Sequence, residues 1–286
     1  MAIKTLNLTI LAYEGPIYRA YLSTLHLLGY RAKRLIKLYN GHKYLRWLPR
    51  KLRDPFLYLQ ESLRNNYWPK YFMGQKNVFE PIKHIISQNY ELPETFFDTF
   101  NQKIIDSKII AEEHLYCDYG SDGFKSETLL NLLKSLGPTT YLFTGGGLVP
   151  KRILDLPSTQ FIHIHPGYLP YVRGADGLLW STIVRGRPGA ACFHMVPKLD
   201  EGPLILTEEL KALRLPCPKN YDIKSLYRLV YSFYDPVVRA VLLKRVLEKY
   251  RTLEGLATYK QNSNEGVTYH FMHELLQEKA LRLIFY

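Results

Sequence analysis

The chain has 286 residues, 47% of them hydrophobic, with a formal net charge of +12; that length supports one large core or one core with an appended lobe, and nothing in the composition reads as disordered. Cys117, Cys192 and Cys217 are odd in number, far apart and outside CxxC spacing, which argues against a disulfide framework or a structural zinc and for a reducing compartment. No run approaches the ~18 apolar residues of a membrane span, and the start MAIKTLNLTILAYEGP reads as a strand and not a signal peptide, so a cytoplasmic protein is expected.

LNLTILAY (6–13) alternates and is rich in β-formers, which predicts a strand. IYRAYLSTLHLLGY (17–30) has helical spacing with Gly29 as its stop, and RAKRLIKLY (31–39) predicts a second strand. The turn AYEGPIY between them lacks GxGxxG, so a dinucleotide fingerprint is absent. Arg31 to Arg53 holds nine Lys/Arg and no Asp/Glu, interleaved with Tyr39, Tyr44 and Trp47. Three readings stay open there: a solvated basic helix pair, a polyanion footprint on nucleic acid, and a membrane-surface contact with anionic lipid.

Residues 40–105 are rich in Tyr, Phe, Trp and Asn, with helices expected near 55–65 and 77–88. SKIIAEEHL (107–115) predicts a strand. GFKSETLLNLLKSLG (123–137) predicts a helix capped by Ser126 and stopped by Gly137-Pro138. TTYLFTGGGLVP (139–150) is a buried strand running into three glycines, and PSTQFIHIH (157–165) is the next strand. The order is that of a parallel sheet. GAACFHMV (189–196) and GPLILTEEL (202–210) suggest an antiparallel or mixed addition to it. Residues 221–250 form a long amphipathic helix in which Pro236 marks a kink or break, and the tail ends in a strand and a final helix. The fold class expected is α/β: a Rossmann-like, mostly parallel sheet flanked by helices, with a domain over 1–210 and a C-terminal extension over 211–286 packed on the same core.

Ligands of open parallel sheets bind beyond the carboxyl ends of the strands. Two features fall there. Gly145, Gly146 and Gly147 let a flat ligand approach the backbone, or simply form a flexible turn. His163 and His165 sit two apart at a strand end, so they project to the same side, just before Pro166 and Gly167. A metal site of His163, His165 and Asp200 is a known ligand set, but the loop context HPGYLPYVRG argues against it.

That loop carries a resemblance. His165-Pro166, Leu169-Pro170 and Arg173-Gly174, followed by Trp180, His194-Met195 and Leu199-Asp200-Glu201-Gly202-Pro203, resemble the folate-dependent formyltransferases that act on methionyl-tRNA, glycinamide ribonucleotide or amino sugars. Their pattern reads roughly N-x-H-P-S-x-L-P-x-x-R-G, then L-D-x-G. The match is specific over 139–210, looser over 221–250, and rests on strand order alone before that. The resemblance implies a formyltransferase fold and 10-formyltetrahydrofolate as co-substrate, lying against Gly145, Gly146, Gly147 and Leu148. It implies catalytic roles for His165 and Asp200, and it sets Arg173 and Gly174 beside the substrate, where Arg173 is either structural or holds a substrate anion.

His163 stands where the family has asparagine, the neutral donor to the oxyanion. It either replaces that donor in a working N-formyltransferase, serves a variant one-carbon or acyl transfer, or marks an inactive site on a basic RNA- or membrane-binding protein. One proton shared by the two rings predicts a bell-shaped pH profile belonging to the pair. In the resembled family the enzymes acting on methionyl-tRNA usually carry a C-terminal β-barrel, which is not expected to fit in the residues after 210; this favours a small-molecule amine such as a nucleotide-linked amino sugar over initiator tRNA.

Overall fold

The computed structural model describes residues 3–41, 45, 47–101, 107–262 and 264–286. Nine strands are present among them: β1 (Lys4–Tyr13), β2 (Tyr30–Tyr39), β3 (Ala111–Asp118), β4 (Thr140–Phe143), β5 (Gln160–His165), β6 (Val172–Gly174), β7 (Gly189–His194), β8 (Leu204–Glu209) and β9 (Val267–Tyr269). Seven form one sheet in the order β3-β2-β1-β4-β5-β7-β8. The first five are parallel, and β7 and β8 join antiparallel. This is the mostly parallel, Rossmann-like α/β sheet that the strand pattern predicted. The short β6 and β9 pair with each other in parallel.

Helices cover both faces, because the central strands are apolar on both. On β1, Leu8, Ile10 and Ala12 share a core with the helices Pro16–Leu27 and Asp235–Tyr250, whereas Leu11 points to a second core with Leu129, Leu130 and Leu133. The latter three lie on the helix Glu127–Ser135, whose first turn is capped by the hydroxyl of Ser126 accepting from the Leu129 N–H. On β5, Ile162 and Ile164 enter the first core and Phe161 the second. His163 and His165 therefore continue the Phe161 face past the end of that core.

Some elements differ from the sequence reading. Residues Ser107–Ile110 form a short helix before β3 instead of its first turn. The helices expected near 55–65 and 77–88 are present as Arg50–Asn65 and Lys76–Tyr90, and an unexpected one, Tyr67–Gly74, lies between them. Pro236 neither ends nor breaks the long helix: Ile223–Leu229 runs through a wide π turn, Val230–Tyr234, into Asp235–Tyr250. Proline has no N–H to donate to the preceding turn, and the wider i→i+5 turn takes up the missing bond.

The basic stretch is not a helix pair. Its first half is β2, where Arg31 pairs with Glu112 and Arg34 with Glu113 on β3. Arg53 pairs with Asp54. Lys43, Tyr44 and Arg46 lie outside the described residues.

The aromatic residues of 67–100 have a clear packing role. Phe72, Phe79 and Phe100 surround Phe233 of the π turn, with ring centres 6.5, 4.7 and 5.8 Å away. Truncating a fully buried ring removes its transfer free energy and leaves a cavity. Phe233→Ala is expected to lower unfolding free energy by about 3–5 kcal/mol, read from the denaturant midpoint; a loss under about 1 kcal/mol would show that this cluster does not tie the two segments together.

Candidate active site

The strand order reverses between β1 and β4, so the crevice beyond their carboxyl ends is the natural ligand position. A cavity of about 460 Å³ opens on the β4–β5 side of it. Gly146, Gly147 and Leu148 form one wall, His163 and His165 the floor, and Asp200 the opposite wall. A Cβ added at Gly146 or Gly147 would meet open space, so the absent side chains widen the mouth of the cavity. Gly174 also lines it.

Two of the residues expected in the site lie elsewhere. Gly145 packs on the Phe143 ring, 2.9 Å from where its Cβ would be. Arg173 is 3% exposed and donates to the carbonyls of Glu265 (2.9 Å) and Asn262 (3.4 Å), fastening the tail beside β6. Of the two readings left open for it, the geometry favours the structural one.

His165 is held at one nitrogen and faces a carboxylate with the other. Its Nε2 is 2.9 Å from the Val172 carbonyl, so Nε2–H donates there and Nδ1 carries the lone pair. That Nδ1 lies 3.6 Å from Oδ2 of Asp200, whose carboxylate also accepts from the Gly174 N–H at 2.8 Å. The ring fits because residue 167 is glycine: a Cβ there would sit 2.4 Å from Nε2. The family pattern has serine at this position. Asp200 itself adopts a left-handed φ of 55° in the β7–β8 turn. Gln261 fixes that turn by donating to the carbonyls of Asp200 (2.8 Å) and Gly202 (2.6 Å).

His163 lies between the rings of Phe143 and Phe193, with Nδ1 3.5 Å from the Phe143 carbonyl, the outer limit of a hydrogen bond. Burial lowers its pKa to about 3, the nearby Arg239 charge acts the same way, and Asp200 opposes both. Burial also lowers that of His165, against the pull of Asp200. Both shifts favour neutral rings and weigh against one proton shared between them near neutral pH.

Several residues at the site were not singled out from the sequence. Asp176, at a left-handed φ of 52°, accepts from the hydroxyls of Tyr227 (2.7 Å) and Tyr231 (2.6 Å) and from the Met272 N–H (2.8 Å). Burial and this carboxylate push both phenols up, so they remain donors at neutral pH. Arg239 donates to Asp235 (2.8 Å) and to the Ile164 carbonyl (2.6 Å). The signal was present in the chain: Tyr227, Tyr231, Asp235 and Arg239 recur at every fourth position along the long helix. Among the described residues no group of three or more His, Cys, Asp or Glu is placed to hold a metal ion.

The site thus sets an imidazole 3.6 Å from a carboxylate, beside a cavity at the end of β5. The chain is 33% identical over 125 residues to the methionyl-tRNA formyltransferase of Syntrophus aciditrophicus, covering 42% of this chain and 38% of that protein. It is 28% identical over 162 residues to that of Rickettsia prowazekii, covering 56% and 49%. The chain is thus similar over part of its length to methionyl-tRNA formyltransferases, and it spans about half or less of the length of these curated relatives. No family profile matches it. Among solved structures, a 4-N formyltransferase from Francisella tularensis aligns over 99% of this chain and 88% of its own, with TM-score 0.46 and 13% identity.

The two lowered imidazole pKa values make a stability prediction. In the unfolded chain both rings take up protons near pH ~6.5; in the folded chain they do so only at lower pH, His163 near about 3. Between those limits the unfolded state binds more protons, so stability is full above the unfolded pKa and is lost as pH falls. The urea midpoint should drop from pH 7 to pH 4, and His163→Asn should drop less steeply. Identical slopes for the two proteins would show that His163 titrates normally.

Proposed function

We propose that the chain is an N-formyltransferase that moves a formyl group from 10-formyltetrahydrofolate to the amine of a small acceptor, such as a nucleotide-linked amino sugar, in the cytoplasm. The observation that carries this reading is the His165–Asp200 pair, 3.6 Å apart at the end of β5 and facing a cavity of about 460 Å³. The family resemblance in the same loop supports it. So does the open glycine wall at Gly146 and Gly147, which suits a flat pterin. In this reading 1–210 is the catalytic domain and 211–286 an extension that completes the site through Tyr227, Tyr231 and Arg239.

The co-substrate supplies the formyl carbon, and the chain's own groups handle protons and charge. The attacking amine must lose a proton. Nδ1 of His165 takes it, because Nε2 is already committed to Val172, and returns it to the folate nitrogen as that nitrogen's bond to the formyl carbon breaks. The imidazolium formed then has an acceptor at each nitrogen, the Val172 carbonyl and the Asp200 carboxylate, so the pair stabilises the charge it creates. A developing oxyanion needs a fixed donor. Neutral His163 meets that need in the tautomer with hydrogen on Nε2, which gives up only the weak contact to Phe143. The same departure from asparagine favours a second reading, a site that binds its folate without turnover.

A polyanion or membrane-surface contact through Arg31–Arg53 has little behind it. Three of its arginines already pair with carboxylates of the chain. The proposed partner is therefore a small molecule.

Turnover should be assayed with 10-formyltetrahydrofolate and a panel of amino sugars. His165→Ala and Asp200→Asn are each expected to reduce it by about 10²- to 10⁴-fold, and the double variant little further, since the two act as a unit. Near-native rates in His165→Ala would remove the mechanism. Formyl transfer appearing only in His163→Asn would establish the second reading instead.

A further inference from the structure

A second cavity, of about 310 Å³, opens near the carboxyl ends of β1, β2 and β3, on the other side of the point where strand order reverses. Its walls are largely apolar or aromatic: Tyr18, Leu22, Phe56, Tyr58, Leu59 and Tyr116. None of its residues belongs to the site described above.

The polar groups at its base divide into a set paired by charge and a lysine without a carboxylate partner among the described residues. Glu14 is buried and fully met: Arg19 lies 2.6 Å away, Tyr58 donates at 2.7 Å and Asn66 at 2.9 Å. Arg19 donates on to Ser62 at 3.1 Å. Lys37 reaches the cavity from β2. Its ammonium lies 5.4 and 5.1 Å from the ring centres of Tyr58 and Tyr116 and 3.5 Å from the Tyr116 hydroxyl. Among the described residues no carboxylate pairs with it. Burial lowers the pKa of this ammonium, Glu14 counters that, and Arg19 adds to it.

A half-buried cation walled by aromatic rings is incompletely compensated. Glu14, Arg19 and Lys37 together carry one net positive charge. A monoanion neutralises that set, whereas a dianion would leave excess negative charge facing Glu14. The cavity lies at the small end of ligand-sized pockets and has an apolar lining with few convergent polar groups.

We propose that this cavity is a binding site for a small carboxylate on an aromatic or apolar body, with the carboxylate on Lys37 and the body against Tyr18, Phe56, Tyr58 and Tyr116. It is independent of the formyl-transfer reading, since no residue is shared and binding is measured without folate or amine.

The full chain is titrated calorimetrically with 2-naphthoate, with its neutral amide and with inorganic phosphate. Naphthoate is expected to bind, and the amide and phosphate at least about tenfold more weakly, in line with a hydrogen bond to a charged group. Lys37→Gln should weaken naphthoate by a similar factor, and His165→Ala should leave it unchanged. Should Lys37→Gln fail to fold, the Lys37 side-chain NMR signal in the native protein serves instead, and it should move on adding naphthoate and stay still on adding the amide. The proposal is overturned by equal affinity for acid and amide, by native affinity in a folded Lys37→Gln, by a Lys37 signal that does not move, or by loss of naphthoate binding in His165→Ala, which would place the ligand in the other cavity. No naphthoate binding at millimolar concentration would overturn it as well.

Discussion

The guanidinium of Arg239 joins two parts of the molecule. It reaches from the helix Asp235–Tyr250, pairs with Asp235 one turn earlier, and donates to the carbonyl of Ile164 between the two site histidines. It is buried, so its charge is weakly screened and its hydrogen bonds must be complete. The end of β5 is thereby anchored to a helix far away in sequence. The same charge helps hold the imidazoles neutral, which is the state a proton acceptor needs. Removing one partner of such a pair leaves an uncompensated buried charge, an effect of about 3–5 kcal/mol. Position, protonation and docking of that helix therefore rest on one side chain.

The C-terminal segment is consequently part of the site and not an appendage to it. Its tyrosines close the Asp176 side of the cavity, its tail carbonyls take Arg173, and Gln261 holds the turn that carries Asp200. Asp176, Asp200 and His165 are each held by at least two partners from elsewhere in the chain or by closely packed backbone, which keeps their geometry fixed before any ligand arrives.

Much of this was legible in the chain because it depends on local patterning. The alternation in LNLTILAY, the cap at Ser126 and the paired histidines at a strand end all act over a few residues, and the parallel sheet follows from their order. What was not legible depends on long-range packing. Arg173 reads equally as structural or as a substrate ligand in sequence, and its bonds to the carbonyls of Asn262 and Glu265 favour the first. The bonding of Nε2 of His165 is set by Val172 and by the missing side chain at Gly167, neither of which a motif reveals. The neutral state of His163 comes from burial and from Arg239, which is distant in the chain. Within 67–100 the helix near 77–88 was legible but the aromatic cluster was not, since such a cluster has no period until Phe233 is brought to its centre.

The π turn at Val230–Tyr234 sets the phase of everything after it. A π turn holds one more residue than the α-helical path it replaces, and each α-helical residue advances the helix by about 100°. Tyr227 and Tyr231 approach the cavity on or before this turn, and Asp235 and Arg239 follow it. Loss of a single residue within the turn would restore ordinary winding and swing the following face around the axis by roughly that angle. Arg239 would then leave Ile164 while the tyrosines stayed near Asp176. The helix thus behaves as two indexed halves joined by a spacer, and chain length inside that spacer is as tightly fixed as the identity of any residue facing the cavity.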